Sequence, residues 1–441
     1  GLDPMLNYVP EHVQKKALAE YGETLEGAAE AIWQFNREII DKTYNEVNLD
    51  SMAVSRAVEA LGMKGKHIAV IGTTSYQWIT TYFGIVNSGS VAVPIDAQLP
   101  VEAVCELLNR ADVEMLVYDE LRSDVAGVVR GKCPGIRHVV SMQARETVGD
   151  VLSLSRLIAG HAGTYETELA GGQLCTILFT SGTTGKSKGV MLSHRNLTDN
   201  AVCLDMRIPA GTVSMTLLPI NHVYCLTMDI IKGLYIGMII CINDSIMHVQ
   251  RNMKLFKPEI VLLVPLVIES IYGKLKDAGS LIPKKMVAKA AFGGSLRIIC
   301  SGGAYLDPDY VDRFREYGIT ILQGYGMTEC SPVISTNLEW ENKKGSVGKL
   351  LPNCEARVVD EEIWVRGSSV MQGYYKMPEQ TAETLEDGWL KTGDLGYVDE
   401  DNFVYITGRR KNLIILANGE NVSPEELENE LSRSELVKEI L

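Results

Sequence analysis

The feature that most constrains the fold is an alternation of short, β-prone apolar runs with helical patterns. HIAVIG (67–72) is followed by a helical pattern (76–89), VAVPI (91–95), a second helical pattern (101–111) and VEMLVYD (113–119). Strands that alternate with helices of this length indicate parallel strands joined by crossover helices. The chain is therefore predicted to be an α/β protein.

A second series of apolar strands lies further along the chain. It includes EIVLLVP (259–265), LRIICSGG (296–303) and ITILQGYG (319–326), of which the last two end in glycine. Ligands of open α/β sheets bind beyond the carboxyl ends of strands, so we expect both glycine turns to face one site. From about residue 345 the pattern changes to short strands and turns. We therefore predict stacked α/β sheet subdomains followed by a small subdomain that resembles a β-barrel.

A stretch rich in Gly, Ser, Thr and Lys, LFTSGTTGKSKGVMLSHRN (178–196), is typical of a phosphate-binding loop. Its backbone N–H groups, hydroxyl donors and lysine charges can together hold a polyphosphate. It differs from the usual nucleotide loop, because Thr180 stands where that pattern requires glycine and a β-prone run follows it instead of a helix. The alternative is a solvated hairpin loop, which needs fewer such residues. We predict the order strand, loop, strand.

Length and charge narrow the class of protein. With 441 residues the chain exceeds one compact core, and its formal net charge of −14 disfavours nucleic acid as a partner. Nine cysteines without paired spacing indicate neither a disulfide framework nor a zinc site, and they favour a cytoplasmic protein. The most apolar segment, 225–242, is interrupted by charges and is too short to span a bilayer, so we predict a buried helix followed by a strand there. Peripheral membrane contact and the oligomeric state are left open.

Six segments resemble the adenylate-forming (AMP-binding) superfamily, closest to the fatty acyl-CoA synthetases, and they occur in the family order. They are the loop above, LPINHVY (218–224), SGGAYL (301–306), QGYGMTE (323–329), LKTGD (390–394) and GRRKNLI (408–414). The resemblance implies an AMP-forming acid–thiol ligase, in which a carboxylate attacks the α-phosphate of ATP and releases pyrophosphate. A thiol then displaces AMP from the acyl adenylate. Because a carboxylate is already nucleophilic at neutral pH, such a site needs donors, cations and a metal ligand more than a strong base.

The resemblance also implies which residues bind ATP and Mg²⁺. Glu329 and Thr180 are expected to coordinate the magnesium ion, and Thr328 is expected to donate to the α-phosphate. For Glu329 the alternative is a surface carboxylate. The β- and γ-phosphates are expected to contact Thr180, Ser181, Gly182, Thr183, Thr184, Gly185, Lys186 and Lys188. Binding of the AMP part is expected from Gly302, Gly303, Ala304, Gln323, Gly324, Tyr325 and Gly326, with the Tyr325 ring either stacked on adenine or simply packed in the core.

Three other residues receive an expected role and an alternative one, and a fourth receives a single interpretation. Asp394 is expected to accept hydrogen bonds from the ribose hydroxyls, although a carboxylate after glycine is also a common turn residue. Arg409 is expected to reach ribose or phosphate, or else to be a surface charge. His222 either lies beside the acyl carboxylate in a catalytic role or is structural, and the two are equally weighted. Asp229 is interpreted as a residue that caps or solvates a helix.

The domain organisation follows from the same resemblance. We predict an N-terminal adenylate-forming domain over residues 1–408, with its β-rich subdomain at about 345–408. Residues 409–441 are predicted to contain a hinge at Lys411 and only the start of a C-terminal α+β domain. The lysine that pairs with the acyl carboxylate in the family's C-terminal domain is therefore expected to be missing from this chain.

Apolar segments near the motifs, VYCLTM and SPVIS, favour a medium or long fatty acid as substrate, with CoA as the thiol acceptor. One alternative is an acyl or aryl acid that is passed to a carrier protein. A second is a nucleotide-binding module without catalytic activity. A P-loop NTPase is disfavoured by Thr180 and by the strand that follows the loop.

Overall fold

The computed structural model describes residues 39–180, 187–277, 282–412, 414–415, 421–422 and 424. Two compact units, Gly1–Val47 and Asn48–Leu441, divide the chain, and the sheets below belong to the second. The strands are β1 (His67–Ile71), β2 (Val91–Ile95), β3 (Val113–Tyr118), β4 (His138–Ser141), β5 (Val151–Ser153), β6 (Leu174–Thr180), β7 (Lys188–Ser193), β8 (Val213–Thr216), β9 (Ile239–Ile242), β10 (Ile260–Leu263), β11 (Ile298–Ser301), β12 (Thr320–Gly326), β13 (Val333–Thr336), β14 (Lys349–Leu350), β15 (Cys354–Val359), β16 (Glu362–Gly367), β17 (Gly373–Tyr374), β18 (Leu385–Glu386), β19 (Trp389–Val398), β20 (Val404–Arg409), β21 (Ile414–Ile415) and β22 (Asn421–Val422).

The helices connect these strands. The α-helices are α1 (Tyr44–Ala60), α2 (Tyr76–Asn87), α3 (Val101–Arg110), α4 (Ser123–Lys132), α5 (Leu154–Gly160), α6 (His194–Val202), α7 (Lys232–Ile236), α8 (Val249–Phe256), α9 (Pro265–Lys276), α10 (Lys284–Phe292), α11 (Asp309–Glu316) and α12 (Pro378–Thr384). A π-helix, Cys225–Ile231, leads directly into α7. Within the described residues, no helix is long and apolar enough to cross a membrane.

The first sheet has eight strands in the order β17-β7-β6-β2-β1-β3-β4-β5. Strands β1 to β6 run parallel, while β7 is antiparallel to β6 and β17 is antiparallel to β7. The Val- and Ile-rich strands are buried on both faces, as in other parallel sheets that helices cover. Each predicted element from 67 to 119 is present as a strand or helix, so the α/β prediction is confirmed.

The second sheet has seven strands in the order β14-β13-β12-β11-β10-β8-β9. Strands β8 to β12 are parallel, and β13 and β14 extend the sheet in the antiparallel sense. The predicted strands that end in glycine are β11 and β12, which are direct neighbours. Their carboxyl ends therefore open on the same edge of the sheet.

The third sheet is small and antiparallel, with the order β15-β16-β19-β18 and with β20 paired to β19. A turn at Asp360 and Glu361, with φ of 48° and 64°, joins β15 to β16. Between β16 and β18 the chain leaves this sheet, and β17 joins the eight-stranded sheet beside β7. The change to short strands near residue 345 is thus confirmed, while the exact domain boundaries stay a prediction.

Candidate active site

A cavity of about 990 Å³ lies where the three sheets meet. Its lining includes the ends of β6 and β7, the turns after β11 and β12, part of β19 and the end of β20. The predicted site residues in its wall are Thr180, Lys188, His222, Gly302, Gly303, Gly324, Tyr325, Gly326, Thr328, Glu329, Arg409 and Lys411. The cavity lining thus includes residues of all six sequence motifs. The phosphate-binding motif contributes the residues on either side of its loop, 178–180 and Lys188.

Three other predicted residues are placed beside this lining. Ala304 is exposed next to Gly303, and Gln323 is buried with its amide donating to the Leu306 carbonyl at 3.2 Å. Asp394 is buried and bonds to two lining residues. The predicted phosphate contacts Ser181, Gly182, Thr183, Thr184, Gly185 and Lys186 lie outside the described residues.

The two ends of the phosphate-binding loop are held by strand pairing. Thr180, the last residue of β6, is directly opposite Lys188, the first residue of β7, which confirms the predicted order of strand, loop and strand. Arg110 of α3 donates to the Ser187 carbonyl at 2.6 Å and so fixes one end of the loop. Both residues line the cavity, so this pairing brings a hydroxyl residue and a lysine to its wall.

Glu329 lies in a short 3₁₀ helix, Thr328–Cys330, and only 8% of its surface is exposed. Tyr374 Oη donates to Glu329 Oε1 at 2.7 Å, and Lys188 Nζ lies 4.6 Å from the centroid of the Tyr374 ring. Burial, followed by the charge of Glu329, raises the pKa of Tyr374 well above its ordinary value, so this hydroxyl stays a donor. Glu329 is thus a positioned, buried carboxylate and not a solvated one.

Buried asparagines of α6 hold the loops around Glu329. The Asn200 amide donates to the carbonyls of Cys330 and Val333 and to Ser369 Oγ, and its oxygen accepts from Val333 N–H. Asn196 donates to the carbonyls of two neighbouring residues of the Ser369 loop. Side-chain amides with both donors and acceptors can replace the backbone pairing that irregular loops lack.

A hydrogen-bonded chain at the cavity joins Tyr325, Asp394 and Arg409. Tyr325 Oη donates to Asp394 Oδ2 at 2.7 Å, and Arg409 Nε donates to Asp394 Oδ1 at 2.7 Å. β19 and β20 place Asp394 opposite Arg409 in register. Burial, followed by the charge of Asp394, raises the pKa of Tyr325, while that charge is the main cause of the raised pKa of Arg409. Each carboxylate oxygen keeps a second lone pair, so Asp394 can still accept from a ligand hydroxyl.

Sequence analysis did not identify a second buried carboxylate, Glu362, which also pairs with an arginine at the cavity. Glu362 Oε1 accepts from Gly393 N–H at 2.7 Å, and Oε2 accepts from Arg410 Nη1 at 2.7 Å. The Glu362 side chain is only 5% exposed, and all three residues line the cavity. The local sequence of β16 does not distinguish Glu362 from a surface residue. The second arginine of GRRKNLI was the one available signal.

Two glycines in the wall are required by close packing. A Cβ at Gly326 would lie 1.9 Å from the Pro332 carbonyl oxygen, so any side chain there displaces backbone. A Cβ at Gly302 would lie 3.3 Å from the Tyr224 ring. The small size of Gly302 therefore accommodates Tyr224, in addition to the AMP contact that the resemblance implies for this glycine.

Asp229 corrects an expectation, because it neither caps nor solvates a helix. It lies inside the π-helix, is 2% exposed and lines the deep end of the cavity. Burial raises the pKa of this carboxyl to about 8, an effect that the neighbouring Cys225 thiol partly opposes. The apolar sequence around Asp229 gave the signal for burial, and only the structure shows that this residue lines the cavity.

These features define a nucleotide site of the adenylate-forming class, since cations, a buried carboxylate and a hydrogen-bonded aromatic ring converge beyond the ends of parallel strands. A family model described as AMP-binding enzyme matches residues 24–375. The chain belongs to this family, which confirms the predicted class of enzyme.

Individual relatives agree with this assignment. The long-chain-fatty-acid–CoA ligase FadD15 of Mycobacterium bovis is 28% identical over 461 residues, covering 91% of this chain and 76% of that protein. The 4-coumarate–CoA ligase-like 9 of Oryza sativa subsp. japonica is 30% identical, covering 88% of this chain and 72% of that protein. The crystal structure of ATP-bound MatB from Rhodopseudomonas palustris superposes with a TM-score of 0.75 at 28% identity, covering 89% of this chain and 78% of that one. All three cover most of the chain, so the resemblance is not confined to a single motif.

Proposed function

We propose that this enzyme activates a carboxylic acid with ATP and then transfers the acyl group to CoA, with release of pyrophosphate and AMP. The acid is a medium or long-chain fatty acid. The observation that carries the proposal is the convergence on one cavity of the Glu329–Tyr374 pair and the Tyr325–Asp394–Arg409 chain, each joined by hydrogen bonds of 2.7 Å.

In this proposal the nucleotide spans the cavity between those two groups. Asp394 and Arg409 bind the ribose, Tyr325 and the Gly302–Ala304 turn contact adenine, and Lys188 with the loop at 181–186 binds the phosphates. Thr328 donates to the α-phosphate. The loop residues enter by their sequence alone, since they lie outside the described residues.

The residues around Glu329 suit a magnesium ion. Mg²⁺ is usually held by one or two carboxylates together with substrate phosphates and waters, and the buried carboxylate Glu329 and the hydroxyl residue Thr180 both line the cavity. When bound, Mg²⁺ neutralises charge on the departing pyrophosphate. Tyr374 fixes the orientation of Glu329 for that role.

The chemistry then needs little from a protein base. A carboxylate oxygen of the acid attacks the α-phosphorus, and the bond between the α-phosphorus and the bridging oxygen to the β-phosphate breaks. Lys188 and Arg409 stabilise the negative charge that spreads over the phosphates. In the second step the CoA thiol releases its proton to solvent, its sulfur attacks the acyl carbon, and the bond between that carbon and the phosphate oxygen of AMP breaks, so that AMP leaves. In this proposal His222, an exposed residue of the cavity lining, is the side chain beside the reacting carboxyl.

The deep end of the cavity supports an acid with a largely apolar chain. Its aliphatic lining consists of Leu204, Met206, Ile208, Ile236, Met238, Ile260, Leu262 and Leu322. Burying methylene groups there yields about 0.8 kcal/mol for each CH₂, which favours longer chains until the cavity is filled. The rice relative, which is named for coumarate, keeps an aryl acid as the second candidate.

The test is product analysis across acids and acceptors. The protein is incubated with ATP, Mg²⁺ and fatty or aryl acids, with CoA or a carrier protein as acceptor, and AMP and the thioester are quantified. Glu329→Gln is expected to lower the rate by roughly 100-fold or more, whereas the matched change Glu355→Gln, at an exposed carboxylate paired with Arg366 outside the cavity, leaves it unchanged. Thioester formation from aryl acids alone, or only on the carrier protein, would overturn the proposed substrate or acceptor.

A further inference from the structure

The deep end of the cavity is formed by a helical wall that faces the seven-stranded sheet. The π-helix and α7 present one face to the cavity, which carries Tyr224, Met228, Lys232 and Ile236 at four-residue spacing, and Asp229 beside them. The sheet contributes aliphatic side chains and polar residues that include Ser214 of β8 and Cys300 of β11. Polar groups therefore stand in a wall that is otherwise built for an apolar chain.

Asp229 is the most costly of these groups to leave without a partner. Neither of its carboxyl oxygens has a hydrogen bond of ordinary geometry to a described residue, although the Cys225 thiol lies beside it. It also forms no ion pair with a described residue. Its carboxyl influences other cavity groups, since burial, followed by the charge of Asp229, raises the pKa of the Cys300 thiol to about 12. Buried polar groups almost always have a partner, so an unpartnered carboxyl on a residue that lines the cavity points to a partner in the ligand.

Ser214 supplies a second buried group of the same kind. Its hydroxyl is 2% exposed and has no hydrogen-bond partner among the described residues. Strand β8, which carries it, packs against the π-helix that carries Asp229. The cavity thus holds a carboxyl and a hydroxyl that can bond a ligand atom with both donor and acceptor capacity.

The charge of Lys232 favours a hydroxyl group over an ammonium group as the ligand partner of Asp229. Its ammonium group donates to the carbonyls of Ala201 and Leu204, both at 2.8 Å, so backbone oxygens hold it in place. A cation fixed in the same wall repels a second cation, and this disfavours a ligand ammonium group. A hydroxyl group is neutral, and it can donate to Asp229 while it accepts from Ser214.

We propose that the acid taken by this site carries a hydroxyl group on its acyl chain, bound by Asp229 and Ser214. The inference rests on the proposed acid-activating function and makes its substrate class more specific. Asp229 lies seven residues beyond His222, which the proposed function places beside the reacting carboxyl, and both residues line the cavity. The hydroxyl is therefore located toward the far end of the chain, away from the reacting carboxyl.

The experiment compares kcat/KM for pairs of acids of equal length with and without a hydroxyl group, with the hydroxyl moved along the chain. We expect the wild-type protein to prefer the best hydroxy acid by on the order of 10- to 100-fold, since an unmatched buried polar group is costly. Asp229→Leu abolishes this preference, because kcat/KM falls for the hydroxy acid and not for the plain acid. Ser214→Ala reduces the preference. Asp229→Asn, which keeps donor and acceptor capacity, retains most of it.

Matched controls separate recognition from folding. Thr227→Val removes another buried, unpartnered hydroxyl from the same π-helix, at a residue outside the cavity lining, and it leaves the preference unchanged. Thermal midpoints show whether each variant is folded, and if Asp229→Leu is not, the Ser214→Ala and Asp229→Asn ratios decide. Equal kcat/KM values for plain and hydroxy acids, in the wild type and in these variants, would overturn the inference. Water would then be the partner of Asp229. Failure of every acid would instead overturn the proposed function.

Discussion

Replacing Asp229 with asparagine is expected to change how the stability of the protein depends on pH. Burial raises the pKa of Asp229 from its ordinary value of 3.8 to about 8 in the folded protein. Between these two values the folded chain keeps a proton that the unfolded chain has released. A group whose pKa is raised by folding stabilises the protein below its unfolded pKa, and that stability is lost as the pH rises toward the folded pKa.

The size of the effect follows from the same two values. One pKa unit corresponds to about 1.4 kcal/mol, so the contribution of Asp229 falls by about 1.4 kcal/mol for each pH unit within this window. Between about pH 5 and pH 7 the loss amounts to roughly 3 kcal/mol. Asp229→Asn has the same shape and no ionisation, so its free energy of unfolding should rise relative to wild type by that amount over the same range.

The assay is denaturant unfolding of wild type and Asp229→Asn, at several values between about pH 5 and pH 7, followed by fluorescence. Other groups titrate equally in both proteins, so only the difference between the two midpoints is interpreted. Thr227→Val serves as the control, because its difference from wild type should not vary with pH. A difference between wild type and Asp229→Asn that stays constant with pH would refute the reasoning, since it would mean that Asp229 is already ionised and solvated in the folded chain.

Three further changes test other parts of the structure. Asn200→Ala leaves the loop around Glu329 without its side-chain partners, and it should cost about 2–4 kcal/mol in unfolding free energy; an unchanged denaturation midpoint would contradict this. Tyr374→Phe removes the donor to Glu329 and should lower kcat/KM for ATP by roughly 10- to 100-fold, with a higher Mg²⁺ requirement; unchanged kinetics would separate Tyr374 from Glu329 function. Glu361→Gly places glycine at a φ of 64° in the two-residue β15–β16 turn and should stabilise by about 0.5–1 kcal/mol, measured by thermal unfolding; a loss of stability would contradict the turn geometry.

Much of the fold could be predicted because local patterns determine it. β-branched runs bounded by glycine became β1, β11 and β12, and the segment 76–89 became α2, which begins after the Ser75 N-cap and contains the buried ring of Trp78. Strand order was not accessible in this way. The chain places β17 beside β7, across nearly two hundred residues, and no local pattern marks that pairing.

The candidate site was predictable where its residues belong to a motif and not where they pair across the chain. Thr328, Glu329 and Tyr325 were identified from one short segment, and all three line the cavity. Tyr374 and Glu362 were missed, because their importance depends on partners that only the folded register supplies. Asp229 was misinterpreted for a related reason, since the sequence shows a charge in an apolar run without showing which way it faces.

The central claim is that distant turns form one site in which a carboxylic acid displaces pyrophosphate from ATP. Exchange of labelled pyrophosphate into ATP measures this step most directly. The account predicts exchange that requires both Mg²⁺ and a carboxylic acid, and that falls sharply in Glu329→Gln and Asp394→Asn. Exchange without any added acid, or exchange that both substitutions leave intact, would contradict it.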